Sequence, residues 1–172
     1  TLPDAAYMAR VRHAIVESCV RAANSMAPAE VGSGSAKVSG ICANRRLLRG
    51  PTDAWNAWML SREEADKLQP AGPVDEEVLL LAVRRPSGQH VAALWNFSLH
   101  AHAFWAQKIC ADYPYYVGQR LKASLHADLV SVFTAGACGD VNRRRDAPPD
   151  MIVERLSKAI LGLYADMSFS DR

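Results

Sequence analysis

No stretch of this chain approaches the roughly 20 consecutive apolar residues that a membrane-spanning helix needs, and the first residues lack the basic-then-apolar layout of a signal peptide. Cysteine is sparse and scattered: Cys19, Cys42, Cys110 and Cys138 include no CxxC pair, which removes zinc-ribbon and thioredoxin-like readings. A chain this long builds a core without cross-links, so reduced, mostly packed thiols are expected rather than disulfides. A massed charge of one sign is also absent. The 20 Lys and Arg stand against 18 Asp and Glu, a formal net charge of +2. The electrostatic footprint that phosphate-backbone binding requires is missing, and no nucleic-acid partner is expected. The chain has no internal repeat and no low-complexity segment, and nothing in it points to a compartment.

What is present is ordinary globular composition: 172 residues, 49% hydrophobic and 22% charged, enough for one domain with a core. From Leu2 to about Met26 apolar residues recur at three- and four-residue steps (Met8, Val11, Ile15, Cys19, Ala22, Met26), with Arg10, His13, Glu17, Arg21 and Asn24 opposite, which predicts an amphipathic helix. Thr1 and Asp4 have capping-box spacing, and Pro28 ends the helix. Ala29 to Gly40, with Val31, Val38 and three glycines, predicts a bent or bulged strand. A long polar loop with Trp55 and Trp58 then runs to Pro73, both tryptophans being expected in the core.

Glu77 to Arg85 and His90 to His100 read as a hairpin around Pro86-Ser87-Gly88. Asp112 is placed to cap a helix running to about His126. Leu129 to Thr134 reads as a buried strand, and Pro148 opens a last helix with Ile152, Leu156, Ala159, Ile160 and Leu163 on its inner side. This alternation predicts an α/β layered domain with a mixed sheet flanked by helices, residues 1–172 forming a single domain. The chain begins with Thr1 and enters a helix almost at once, so it is expected to be a piece of something larger.

Three clusters carry chemistry. Trp95-Asn96-Phe97-Ser98-Leu99-His100-Ala101-His102 places two histidines at i and i+2, which in a strand face the same side and can reach one metal ion; one packed and one solvent-facing imidazole is the plainer alternative. Phe133-Thr134-Ala135-Gly136-Ala137-Cys138-Gly139-Asp140-Val141-Asn142-Arg143 runs a strand into small residues that admit a ligand close to the backbone, or forms a tight turn held by an Asx-type bond. Asn44-Arg45-Arg46 offers an arginine fork for a carboxylate, a phosphate or a developing oxyanion, or else a solvated basic loop.

In this order and spacing the clusters resemble the catalytic domain of the neutral/alkaline, non-lysosomal ceramidase family, or that of its uncharacterised bacterial relatives. The residues carrying the resemblance are Asn44-Arg45, Asn96-Phe97-Ser98-Leu99-His100, Ala111-Asp112-Tyr113-Pro114-Tyr115-Tyr116 and Gly139-Asp140-Val141-Asn142. The resemblance implies a zinc-dependent hydrolase acting on an amide bond. In that family two histidines, a glutamate and a tyrosine hold the zinc, and His100 matches the second histidine. The other three ligands would lie outside residues 1–172, so the chain is expected to be a central portion of the catalytic domain and inactive alone.

Arg45 resembles the family's arginine near the substrate. Gly136 stands where ceramidases carry a serine implicated in catalysis, and His102 stands where histidine is not usual. The expected site is therefore Arg45 and Asp140 as catalytic residues, Asn44, Gly136 and Asn142 toward substrate, and His100 with His102 toward zinc. The expected partners are a small-molecule or lipid amide, a membrane surface, and either a second copy or the rest of the parent chain. A metal-free binding or structural module that keeps the fold is the alternative.

Overall fold

The computed structural model describes residues 4–104 and 109–171. The first element is α1, Ala5–Asn24, whose N-cap Asp4 accepts the Tyr7 N–H at 2.9 Å. The expected Thr1 partner of that cap lies outside the described residues. The periodicity is that of an amphipathic helix, yet no α1 residue is buried, and Tyr7, Ile15, Val16 and Val20 are all more than half exposed.

Strand β1, Glu30–Lys37, pairs antiparallel with β6, Glu77–Arg84, in uninterrupted register. The bulge expected in β1 falls instead between Val83 and Arg84, where β6 pairs with β7, His90–Phe97. The β1 glycines have another use. A Cβ on Gly32 would lie 2.4 Å from Met167 Sδ, and one on Gly34 would lie 3.3 Å from Leu163, so small residues let the sheet and the last helix close together.

The segment between β1 and β6 is more regular than the loop its polarity predicts. It contains β2 (Cys42–Asn44), β3 (Arg46–Leu48), β4 (Ala54–Asn56), a 3-10 turn at Ala57–Met59, the short α2 (Arg62–Ala65) and β5 (Gln69–Pro70). Strands this short give too few residues for an alternation to register in the sequence. The Ser61–Glu64 capping box starts α2, and β3 pairs with both β4 and β5.

After β7 come α3, Asp112–Ser124, and β8, Val130–Ala135, which lies parallel to β7 at the edge of the main sheet in the order β1-β6-β7-β8. The Leu129 to Thr134 run is therefore an edge strand with Val130 and Val132 exposed, not a buried one. Its covered face carries Ser131 and Phe133, and the two valines lie on the other face. Strand β9, Val141–Arg143, pairs with β2, and α4, Pro149–Asp166, follows.

The sheet is mixed, as expected, and its inner face packs Trp95, Phe97, Val78 and Leu80 with Tyr113, Val117 and Leu121 of α3 and Ile152, Leu156 and Ile160 of α4. The opposite face presents Val31, Leu79, Leu81, Leu94, Val130 and Val132, each at least 40% exposed. Of the described helices, α3 and α4 cover the inner face.

A pH response is built into the covered side. His90 packs edge-on against Tyr164 at 4.8 Å, and its Nδ1 is buried without a partner. Burial, with the nearby Arg84 charge, lowers its pKa below the ordinary 6.5. The unfolded chain thus takes up a proton at a higher pH than the folded one, and the folded state loses stability as pH falls below about 6.5. His90→Gln is expected to flatten the stability decline between about pH 7 and pH 5 in urea titrations; an unchanged slope would contradict this.

Candidate functional site

The parallel pair β7 and β8 delivers two of the clusters side by side, because both strands end at the same edge, Phe97 opposite Ala135. The third arrives through a three-residue pairing: Asn44 lies opposite Val141 and Ala43 opposite Asn142. Asn44, buried, donates from Nδ2 to Asp140 Oδ2 at 2.8 Å, while its Oδ1 accepts the Arg46 N–H at 2.9 Å. The Arg45 N–H donates to the Asp140 carbonyl at 2.7 Å, and its guanidinium donates to the Gly139 carbonyl at 2.8 Å. Arg45 also stacks over Trp58 at 4.5 Å, and its Nε is buried without a partner.

Trp58 is thus 59% exposed beneath a guanidinium rather than in the core, and Trp55, half-buried, lies under Arg49 at 4.6 Å. An indole face attracts a cation, which stabilises a partly wet tryptophan without a buried pocket.

His100 and His102 fall beyond the end of β7, so the strand alternation does not align them. They are aligned by a tight turn, the His102 N–H donating to the His100 carbonyl at 2.8 Å. Both line a cleft of about 200 Å³ together with Asn142, Arg143 and Arg145. The same three residues also line an adjoining cleft of about 350 Å³ that contains Asn44, Arg45 and Trp58. Asp140 and Gly136 line neither cleft. The Asp140 carboxylate holds Asn44, and Gly136 donates its N–H to the Phe97 carbonyl at 3.1 Å.

The histidine turn rests on the start of α3. Asp112 is the first helical residue with φ +55°, so it is not the N-cap its position predicts. Its buried carboxylate turns back to accept the N–H groups of Ala103 at 2.9 and 3.0 Å, Phe104 at 2.9 Å and Tyr113 at 2.8 Å. Tyr113 donates its hydroxyl to the Leu99 carbonyl at 2.7 Å. Burial, then the Asp112 charge, pushes the Tyr113 phenol well above its ordinary range and keeps it a donor.

Cys138 Sγ lies 3.6 Å from His100 Nδ1. All four cysteines are free; Cys42 and Cys138 are buried, Cys19 and Cys110 exposed. Burial and the charge of Glu76 push the Cys42 thiol up to about 11. The sequence carries the three clusters, the second of them reaching Arg143, but not Asp112 and Tyr113 as supports or Arg145 as a lining residue. The run Arg143-Arg144-Arg145 was the available signal.

Among the described residues, no group of three or more His, Cys, Asp or Glu is arranged to hold a metal ion. Two imidazoles are at most half of a tetrahedral zinc set, so the residues present do not by themselves fit a catalytic zinc. No family model and no curated protein matches the chain. Among solved structures it is similar to a neutral ceramidase from Pseudomonas aeruginosa, with a TM-score of 0.58 and 17% identity over 88% of this chain and 24% of that one. It is also similar to a ceramidase complexed with C2, with a TM-score of 0.62 and 14% identity over 85% of this chain and 24% of that one. The chain spans about a quarter of the length of these ceramidases, and at such identities the likeness is one of fold.

Proposed function

We propose that this chain is the central part of a larger amide-hydrolase catalytic domain, in which His100 and His102 contribute to a zinc site that residues outside the chain complete. The observation that carries the reading is the meeting of the two histidines, Asn142 and Arg45 along two adjoining clefts at the ends of parallel strands. A zinc held by His100, His102 and ligands from outside the chain would supply a water of lowered pKa and a Lewis acid for the amide carbonyl. This chain supplies positioning and charge. Arg45, fixed by Gly139 and Trp58, lies where a guanidinium steadies an oxygen that gains negative charge. Asp140 acts on the site through Asn44. For His100 to offer Nε2 to a metal, Nδ1 carries the proton, and Cys138 is the acceptor beside it.

The exposed apolar sheet face and α1 are covered, in this reading, by the remainder of the parent protein. The second reading is a metal-free binding module of the same fold, for which the two adjoining clefts supply the binding surface. One measurement separates the two. Elemental analysis of the full-length protein is expected to show bound zinc that His100→Ala removes; zinc content indifferent to His100 would leave the binding module.

A further inference from the structure

The clefts contain more positive charge than the neutral amide of a ceramide calls for. Asp66 and Asp146, which line the larger cleft, are each matched by an arginine: Asp66 with Arg62 at 3.7 Å, and Asp146 with Arg144 through bonds of 2.9 and 2.7 Å. Arg45, Arg143 and Arg145 have no carboxylate in ion-pair contact among the described residues. Each is held by neutral acceptors. Arg45 donates to Gly139 O, Arg143 to Arg144 O and Ala147 O at 3.3 and 3.2 Å, and Arg145 to Ala57 O at 3.4 Å. The Asp140 carboxylate lines neither cleft and is held by the neutral Asn44 amide, which leaves its charge in place, so the three guanidiniums still outnumber it.

Carbonyl oxygens fix a guanidinium's direction without neutralising it. Three such groups around shared cleft walls form a preorganised receptor for an oxyanion, whose planar or tetrahedral oxygens match the arginine fork. Arg143 and Arg145 line both clefts, the one with the histidines and the one with Arg45.

We infer that the substrate of this site is an amide bearing an acidic group, a carboxylate or a phosphate, which Arg143 and Arg145 hold beside the histidines, with Arg45 across Asn142. The inference rests on the hydrolase reading for the word amide, while anion capture itself does not need the metal.

The test uses full-length protein stripped of metal, so that binding is read without turnover. Isothermal titration compares N-hexanoylglycine, the phosphate monoester of N-hexanoylethanolamine, and uncharged N-hexanoylethanolamine. One or both acids are expected to bind at least about tenfold more tightly than the neutral amide, and whichever binds identifies the acidic group. Arg145→Gln is expected to weaken the acid by about tenfold and R143Q/R145Q by roughly a hundredfold, with the melting temperature checked for a retained fold.

Because Arg143 also ties down the 144–147 turn, Arg145→Gln is the decisive variant if the double variant does not fold. Equal affinity for acid and neutral amide, or no loss in Arg145→Gln, overturns the inference. Acid binding that depends on Arg145 in a protein that neither holds zinc nor cleaves the amide upholds anion capture and overturns the hydrolase reading instead.

Discussion

Replacing Asp112 by alanine is expected to destabilise the chain by about 3–5 kcal/mol, because bonds from a buried carboxylate to the amides of Ala103, Phe104 and Tyr113 are lost together. The one carboxylate accepts three backbone donors, two of them buried and one partly buried. The effect should be local as well as global. Ala103 and Phe104 follow the histidine turn directly, so their amide hydrogens are expected to exchange much faster in Asp112→Ala than in the parent protein.

Asp112→Gly separates the two roles of the residue. It loses the same acceptors but relieves the left-handed backbone at φ +55°, so it should be about 1 kcal/mol more stable than Asp112→Ala. If urea unfolding gave Asp112→Ala a loss under about 1 kcal/mol, the carboxylate would not be the clamp of this loop.

The second large effect concerns Gly136, which the family resemblance aligns with a serine implicated in ceramidase catalysis. A Cβ at this position would lie 2.3 Å from Ser98 Oγ, 3.0 Å from Asn96 Oδ1 and 3.2 Å from Ser98 Cα. Ser98 is 1% exposed and its hydroxyl donates to Asp75 Oδ2 at 3.1 Å, so it has little room to turn away. Gly136→Ser is therefore expected to destabilise by about 2–3 kcal/mol through crowding, not backbone strain.

The double variant S98A/G136S removes the hydroxyl in the way and should recover part of that loss, leaving the 3.2 Å approach to the Ser98 backbone. A Gly136→Ser chain as stable as the parent, by thermal and urea unfolding, would mean that the position accepts the serine. In the structure as it stands, Ser98 occupies that space, and any hydrolysis at this site proceeds without a side chain at 136.

Both effects arise from contacts across the fold, and the same holds for much of the candidate site. Helix α4 and the β6–β7 hairpin were legible because their signals are local: period-3.6 spacing of Ile152, Leu156 and Ile160, and two apolar runs around Pro86-Ser87-Gly88. Helix α1 was equally legible as a helix. Its sequence says that one side seeks a partner, and the fold leaves that side exposed.

The polar stretch after β1 was misread because three-residue strands are held by pairing to distant partners. Cys42–Asn44 is a strand only because Val141–Arg143 lies beside it, nearly a hundred residues away. The tryptophans were misassigned for a related reason. Hydrophobicity favours the core, but the guanidiniums of Arg45 and Arg49 supply their faces with a partner at the surface.

By itself the sequence determined the elements with strong local periodicity, the α/β class, and the residue types available for chemistry: an arginine fork, two histidines two apart, and a glycine-rich strand end. Only the tertiary structure decided that these meet, and how. The β2–β9 pairing carries Asn44 and Arg45 to Asp140, the parallel β7–β8 pair sets His100 beside Cys138, and a strained aspartate on α3 holds the histidine turn. The physical reason is one of range. Propensity and periodicity act over a few residues, whereas a buried amide, a close approach or an unmatched guanidinium depends on whatever the fold brings within a few ångströms from elsewhere in the chain.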